Sequence, residues 1–319
     1  MQNDNKQSLI IIAGPTAVGK TALSIELAKS INASIISADS MQVYKHMDIG
    51  SAKVTKEEMQ GIKHYLIDVL EPEDNFNIAT FKQYAKNYIE YIKKEGKIPI
   101  IAGGTGFYIQ ALLYDINFDD EADKSDEIRD RIENLRIENG NEYIHNMLKE
   151  IDEKAAVNIH PNNVKRVIRA LEYYYLTGNK ISKHNEVERI KESPYNFKYF
   201  VINEDRELLY KNIDKRVDIM IEKGLIDEVK ALKDRGLTKE HVSMQGLGYK
   251  EILSYLNNEI TLEDAIYIIK RDTRHFAKRQ LTWFKREKDV IWINKEDFSF
   301  DDNKIIEYMK EQLKSAKII

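Results

Sequence analysis

Leu9-Ile10-Ile11-Ile12-Ala13-Gly14-Pro15-Thr16-Ala17-Val18-Gly19-Lys20-Thr21 is the stretch that decides the fold. Its first five residues are a short, apolar, β-branched run, which reads as a strand buried on both faces. Residues 14–21 fit G-x-x-x-x-G-K-[ST] at every fixed position. A helical pattern follows, carrying Leu23, Ile25, Leu27, Ala28 and Ile31. Strand, glycine turn and helix together make a phosphate cradle. The glycines let backbone N–H groups turn inward, and the helix N-terminus adds a partial positive charge. Gly14, Thr16, Ala17, Val18 and Gly19 form the loop, Lys20 supplies a point charge to a terminal phosphate, and Thr21 offers a hydroxyl to Mg²⁺. The dinucleotide fingerprint G-x-G-x-x-G is not at this place. Nucleotide- and ATP-binding P-loops share the pattern, but the motif itself says polyphosphate plus magnesium and does not say ATP.

Working outward, buried strands are expected over 33–37, 64–70 and 98–102, with a helix over 78–95 closed by Gly96. The strand over 98–102 runs into Gly103-Gly104-Thr105-Gly106 and another helix. Strands alternating with helices predict a doubly wound parallel sheet. The rhythm changes near Asp115. Helical segments follow over 126–139, 142–150 and 163–176, with no buried strand until 198–203. A helix is expected over 207–224, a long one over 261–286 with a capping-box-like Thr261…Asp264, and a last strand over 290–293. The fold expected is therefore α/β: a P-loop NTPase-like parallel sheet core of residues 1–115 and 197–319, with a helical insertion domain over 116–196.

The length of 319 residues suits about two domains. Forty-nine basic residues against 53 acidic ones leave a formal charge of -4, so any nucleic-acid reading must rest on local clusters. There are no cysteines, which excludes disulfides, thiolate zinc sites, iron–sulfur clusters and cysteine nucleophiles. Residues 1–8 are polar and not basic, and the apolar run after them is too short for a signal-peptide core. No stretch approaches 18 apolar residues. A cytoplasmic protein without a membrane partner, acting as a monomer, is the expectation.

Asp39 stands at the end of the second strand, and parallel sheets bind ligands at that edge. A carboxylate there binds Mg²⁺, acts as a general base or caps a turn, and position alone leaves these open. The Gly103–Gly106 turn lies at the same edge. It lacks the aspartate that holds magnesium in P-loop ATPases, which weakens an ATPase reading. Between Lys270 and Lys288 eight basic residues face only Asp272 and Glu287, with Phe276, Trp283 and Phe284 interleaved. That is either a phosphate-backbone footprint or a solvated helix face. Lys165, Arg166 and Arg169 form a smaller cluster. Arg216 is an ordinary surface arginine on periodicity alone.

Taken together the motifs resemble the bacterial tRNA dimethylallyltransferase family. The resemblance rests on residues 14–21, Asp39-Ser40-Met41-Gln42-Val43-Tyr44, Asp48-Ile49-Gly50-Ser51-Ala52-Lys53 and Gly103-Gly104-Thr105-Gly106. It continues through His160-Pro161-Asn162, residues 166–172, Gly248-Tyr249-Lys250-Glu251 and residues 278–284. Ser51, Asn163 and Lys285 depart from the family's usual threonine, aspartate and arginine. The resemblance implies that the cradle, with Arg216, holds the diphosphate of dimethylallyl diphosphate. It implies Asp39 as general base on the N6 amine of the adenosine next to the anticodon, and a catalytic set of Asp39, Lys20, Thr21, Thr105 and Arg216. It further implies Mg²⁺ on Thr21. The tRNA anticodon stem-loop would meet Asp39, Ser40, Met41, Gln42, Thr105, Arg129, Lys165, Arg166, Arg169, Gln245, Gly248, Tyr249, Lys250, Lys278, Arg279, Gln280, Trp283 and Lys285. The rivals are a P-loop small-molecule or nucleotide kinase and a non-enzymatic RNA-binding module; intact Lys20, Thr21 and Asp39 argue against the second.

Overall fold

A computed structural model describes residues 6–116, 126–189 and 191–319. The polar start over 1–5 and the opening of the expected insertion over 117–125 lie outside the described residues. Six strands form one sheet: β1 (Gln7–Ala13), β2 (Ala33–Ser37), β3 (His64–Tyr65), β4 (Ile98–Gly103), β5 (Tyr195–Asn203) and β6 (Val290–Asn294). Their order is β3-β2-β4-β1-β5-β6, and every pairing is parallel. All carboxyl ends therefore fall on one edge. β1 sits inside the sheet between β4 and β5, which is why Leu9, Ile10, Ile11 and Ile12 are fully buried. Ile10, Ile12, Ile100, Phe200 and Ile202 share a core with Leu23 and Leu27 of the helix Lys20–Ile31.

The strand expected over 64–70 is corrected to two residues. Leu66 and Asp68 take left-handed backbone angles, φ 60° and 55°, which break the extended run. The Asp68 carboxylate then accepts from Lys53 Nζ at 2.6 Å, and Leu70 returns to the sheet side only as an isolated bridge to Tyr44. The long helix runs Leu262–Phe284. Thr261 caps it by accepting from Asp264 N–H at 3.1 Å, while the Asp264 carboxylate takes the Thr261 hydroxyl rather than a backbone N–H.

The chain divides into two compact units, one of Met1–Leu112 with Pro194–Ile319, the other Leu113–Ser193. The second has its own core of Ile132, Ile144, Leu148, Val167 and Leu171. Among the described residues, no helix is long and apolar enough to cross a membrane.

Candidate active site

The carboxyl edge of the sheet opens into a cavity of about 580 Å³, lined by Thr16, Lys20, Thr21, Asp39, Thr105 and Arg216 among others. β1 delivers the cradle, β2 delivers Asp39, and β4 delivers Thr105. Ala38 N–H donates to Ala102 O at 2.8 Å and Thr105 N–H to Ala38 O at 3.2 Å, so the ends of β2 and β4 are tied together beneath Asp39. The Asp39 carboxylate accepts from Met41 N–H at 2.9 Å, which fixes one of its oxygens.

The helix Lys20–Ile31 starts without a side-chain cap, so its first-turn N–H groups are left to the cradle. Lys20 Nζ donates to Pro15 O at 2.6 Å. Protein packed around this ammonium, and then the nearby Arg216, push its pKa down to about 7, while Asp39 pulls the other way. Arg216 comes from the helix Arg206–Glu222, and burial lowers its pKa as well. A smaller cavity of about 240 Å³ is lined by Ala17, Gly19, Lys20, Thr21, Asn212 and Arg216. Arg216, unremarkable on periodicity, is thus the cation that completes the cradle. Lys295, just past β6, is a further one: its Nζ lies 3.4 Å from where a Cβ on Gly19 would sit.

Several other residues of the expected tRNA-contacting set surround the same cavity: Ser40, Met41, Gln42, Gln245, Gly248 and Lys250. The amide of Gln280 is engaged internally. Its Oε1 accepts from Thr16 N–H and its Nε2 donates to Gly104 O, both at 2.9 Å, so it bolts the cradle to the Gly103–Gly106 turn. A Cβ on Gly104 would stand 2.2 Å from that Nε2, so a larger residue there would displace the Gln280 amide from its bond to Gly104 O. Tyr249 is fully buried. Trp283 is half-buried, its ring edge-on to Phe107 at 5.8 Å. Tyr108, which no motif singled out, stacks on Phe81 at 4.7 Å; burial, then Tyr44 and Asp39, raise its pKa, so it remains a phenol beside Asp39.

The basic helix divides in two. Lys270 and Arg274 pair with Asp218 and Asp214 of the helix Arg206–Glu222, and Arg271 with Asp272. Counting only Asp272 and Glu287 as opposing acids therefore overstated the free charge, because the other acids come from a different helix. Lys278, Arg279, Lys285 and Arg286 are exposed, and make no ion pair among the described residues. In the helical unit, Lys165 and Arg166 are exposed, while Arg129 and Arg169 converge on the buried Glu172 at 3.1 and 3.2 Å.

Among the described residues, no cluster of three or more His, Asp or Glu side chains forms a metal cage. Magnesium that binds with phosphates needs only one or two protein oxygens, and the exposed Thr21 hydroxyl at the cradle fits that role.

The IPP transferase family model matches residues 42–287. A tRNA dimethylallyltransferase of Lachnoclostridium phytofermentans is 59% identical over 95% of this chain and 97% of its own length. The solved tRNA isopentenylpyrophosphate transferase of Bacillus halodurans superposes with a TM-score of 0.73 at 43% identity, covering 98% of both chains. A eukaryotic dimethylallyltransferase acting on tRNA superposes with a TM-score of 0.79 at 33% identity, covering 92% of this chain and 75% of that one.

Proposed function

The chain belongs to the IPP transferase family, and from that premise we propose that it transfers a dimethylallyl group from dimethylallyl diphosphate to N6 of the adenosine next to the anticodon in tRNA, releasing diphosphate. The observation that carries this reading is the meeting of Asp39, Lys20 and Arg216 in one cavity. The family sets the kinase alternative aside.

The chemistry has two demands. The adenine N6 is a poor nucleophile, since its lone pair is delocalised into the ring. Carbon 1 of an allylic diphosphate departs readily only if the leaving charge is stabilised. Lys20, Arg216 and the N–H groups of the cradle face that developing charge. Burial and Arg216 make Lys20 easier to deprotonate than a free lysine, and a bound diphosphate favours its ammonium. Thr21 would hold Mg²⁺ together with the diphosphate, and the ion would supply further neutralisation of the leaving charge. Asp39 accepts the N6 proton as the C–N bond forms. Ile35, Val54, Ile67, Val217 and Met220 give the cavity an apolar side for the prenyl tail. The target base leaves its stack to enter, while exposed Lys278, Arg279 and Lys285 meet the RNA backbone. The protein works in the cytoplasm with its tRNA, as a monomer.

The test is label transfer from dimethylallyl diphosphate to unmodified tRNA, run on the wild type and Asp39→Asn. Label should enter tRNA with the wild type. The variant should lose about 10² to 10⁴ in single-turnover rate, the usual cost of a missing general base, yet keep thermal protection by diphosphate. A variant retaining more than about a third of the rate removes Asp39 from that role. Phosphate transfer from ATP in place of label transfer would revive the kinase.

A further inference from the structure

Glu228 has no part in the mechanism above, yet its carboxylate accepts four hydrogen bonds. It lies in the first turn of the helix Leu225–Asp234. One oxygen accepts from Asp48 N–H at 2.8 Å and Ile49 N–H at 2.7 Å. The other accepts from Gly50 N–H at 3.0 Å and the Tyr249 hydroxyl at 2.7 Å. The Tyr249 oxygen in turn accepts from Ser51 N–H at 3.1 Å. Four consecutive backbone donors, 48 to 51, are thus gathered by one acid and one phenol. Successive N–H groups turned to one side form a concavity that attracts an anion; here the chain supplies its own.

The loop so held is a wall of the cavity. Gly50, Ser51 and Ala52 line it alongside Met41 and Gln42. On its other flank the loop is fixed by Lys53, whose nearly buried ammonium bonds Tyr44 O at 2.7 Å and Asp48 at 2.5 Å. The fit is tight: a Cβ on Gly50 would come within 2.6 Å of the Tyr249 ring.

We infer that Glu228 is a positioning residue for the transfer: by accepting from the 48–50 amides, and through Tyr249 steadying that of Ser51, it holds the wall against which the target base is set before Asp39. This rests on the reading of the cavity as the transfer site. A glutamine here would turn an NH₂ donor toward N–H donors, leaving at least one amide without an acceptor. The wall would shift, while the cradle, built by other residues, would not.

The experiment uses the full chain with Glu228→Gln, Glu228→Ala and the gentler Tyr249→Phe. With saturating tRNA, kcat should fall at least about tenfold in both Glu228 variants and less in Tyr249→Phe. KM for dimethylallyl diphosphate and thermal protection by diphosphate should stay within about twofold of wild type. Formate should restore part of the Glu228→Ala rate by occupying the carboxylate's place, and should not help Glu228→Gln. If the Glu228 variants fail to fold, Tyr249→Phe decides by the same split between kcat and KM. A kcat within twofold of wild type in folded variants overturns the proposal, as does a parallel loss of diphosphate protection, which would mark a general structural role. Amide exchange at 48–50 gives an independent reading. It should be slow in the wild type and at least about tenfold faster in Glu228→Gln; equal exchange overturns the clamp. A wild type that transfers no label would instead sink the functional reading, with the exchange result standing apart from it.

Discussion

Loops 14–21 and 48–53 line the same cavity, and both turn backbone N–H groups together. In the second, Glu228 supplies the negative charge from within and Lys53 is locked among oxygens. In the first, two cations are crowded against each other, with Asp39 as their counterweight, and the helix start has no side-chain cap. The difference separates a wall from a binding surface. A loop whose charges are matched internally holds shape; a loop whose charges repel holds free energy that an anionic ligand releases. On the proposed reading, function is marked by crowded like charge, in keeping with the general tendency of shifted pKa values to gather at sites.

The largest expected effect breaks that comparison if it fails. Lys20 is held at about 7 against an ordinary value of 10.5. Between those values the unfolded chain binds more protons than the folded one, so stability rises with pH. The penalty is complete below 7 and gone above 10.5. Lys20→Met should therefore stabilise the protein at pH 6 by on the order of 1 to 3 kcal/mol, discounted for the partly exposed position of the side chain, with the gain fading toward pH 10.5, while protection by diphosphate disappears. Denaturant titrations across pH measure this. A variant less stable than wild type at pH 6 would show that the cradle is as well satisfied as the 48–53 wall. Glu228→Gln should change stability in the opposite direction.

A middle-sized effect extends the contrast to the basic helix, whose first half is paired and whose last turns are not. Each cation that neutralises an RNA phosphate releases roughly 0.7 to 0.9 of a counterion. Changing Lys278 and Arg279 to Ala together should flatten the salt dependence of tRNA binding by about one to two log units per log of salt. Changing Lys270 and Arg274, which already hold Asp218 and Asp214, should flatten it less. Equal slopes for wild type and the Lys278/Arg279 variant would make the exposed turns an ordinary solvated face.

The two loops also differ in how far the sequence reveals them. The cradle is local: a buried strand, eight fixed-pattern residues and a helix, all contiguous. Its strand neighbours follow from alternation, and Asp39 follows from its place at a strand end. The wall is non-local. Glu228 is 180 residues from Asp48 and Tyr249 is 198 from Ser51, and neither sits in a periodic pattern that tells a loop clamp from a surface acid or a core ring. Gln280 reaches Thr16 across 264 residues, a bond between loops that helical spacing does not reveal. Arg216 and the acids opposing Lys270 and Arg274 were hidden for the same reason: helical spacing gives a face but not what it meets. The shortened β3 is a different kind of miss, since backbone reversals at Leu66 and Asp68 leave no signal in an apolar run.

The smallest effect asks whether burial alone marks a binding surface. Glu287 lies just past the basic helix, where it accepts from Gln110 Nε2 at 3.0 Å beside the Trp283 indole. Burial pushes its carboxyl up to about 7, with the indole opposing. Its sign is the reverse of that at Lys20. Below the ordinary value of 4.5 both folded and unfolded chains are protonated and nothing is lost; as pH rises to 7 the folded chain keeps the proton longer, so stability falls, and the loss is complete above 7. Glu287→Gln should thus raise the melting temperature by a few degrees at pH 8 and leave it nearly unchanged at pH 4.5. Because Gln110 already bonds this group, and no like charge presses on it as Arg216 presses on Lys20, the substitution should leave both diphosphate protection and the salt slope for tRNA untouched. Thermal melts at the two pH values, with and without diphosphate, check both halves. A Glu287→Gln protein that also lost diphosphate protection would mean that the contrast between matched and repelling charge does not distinguish wall from site, and that burial of any ionisable group near the Gly103–Gly106 turn is enough.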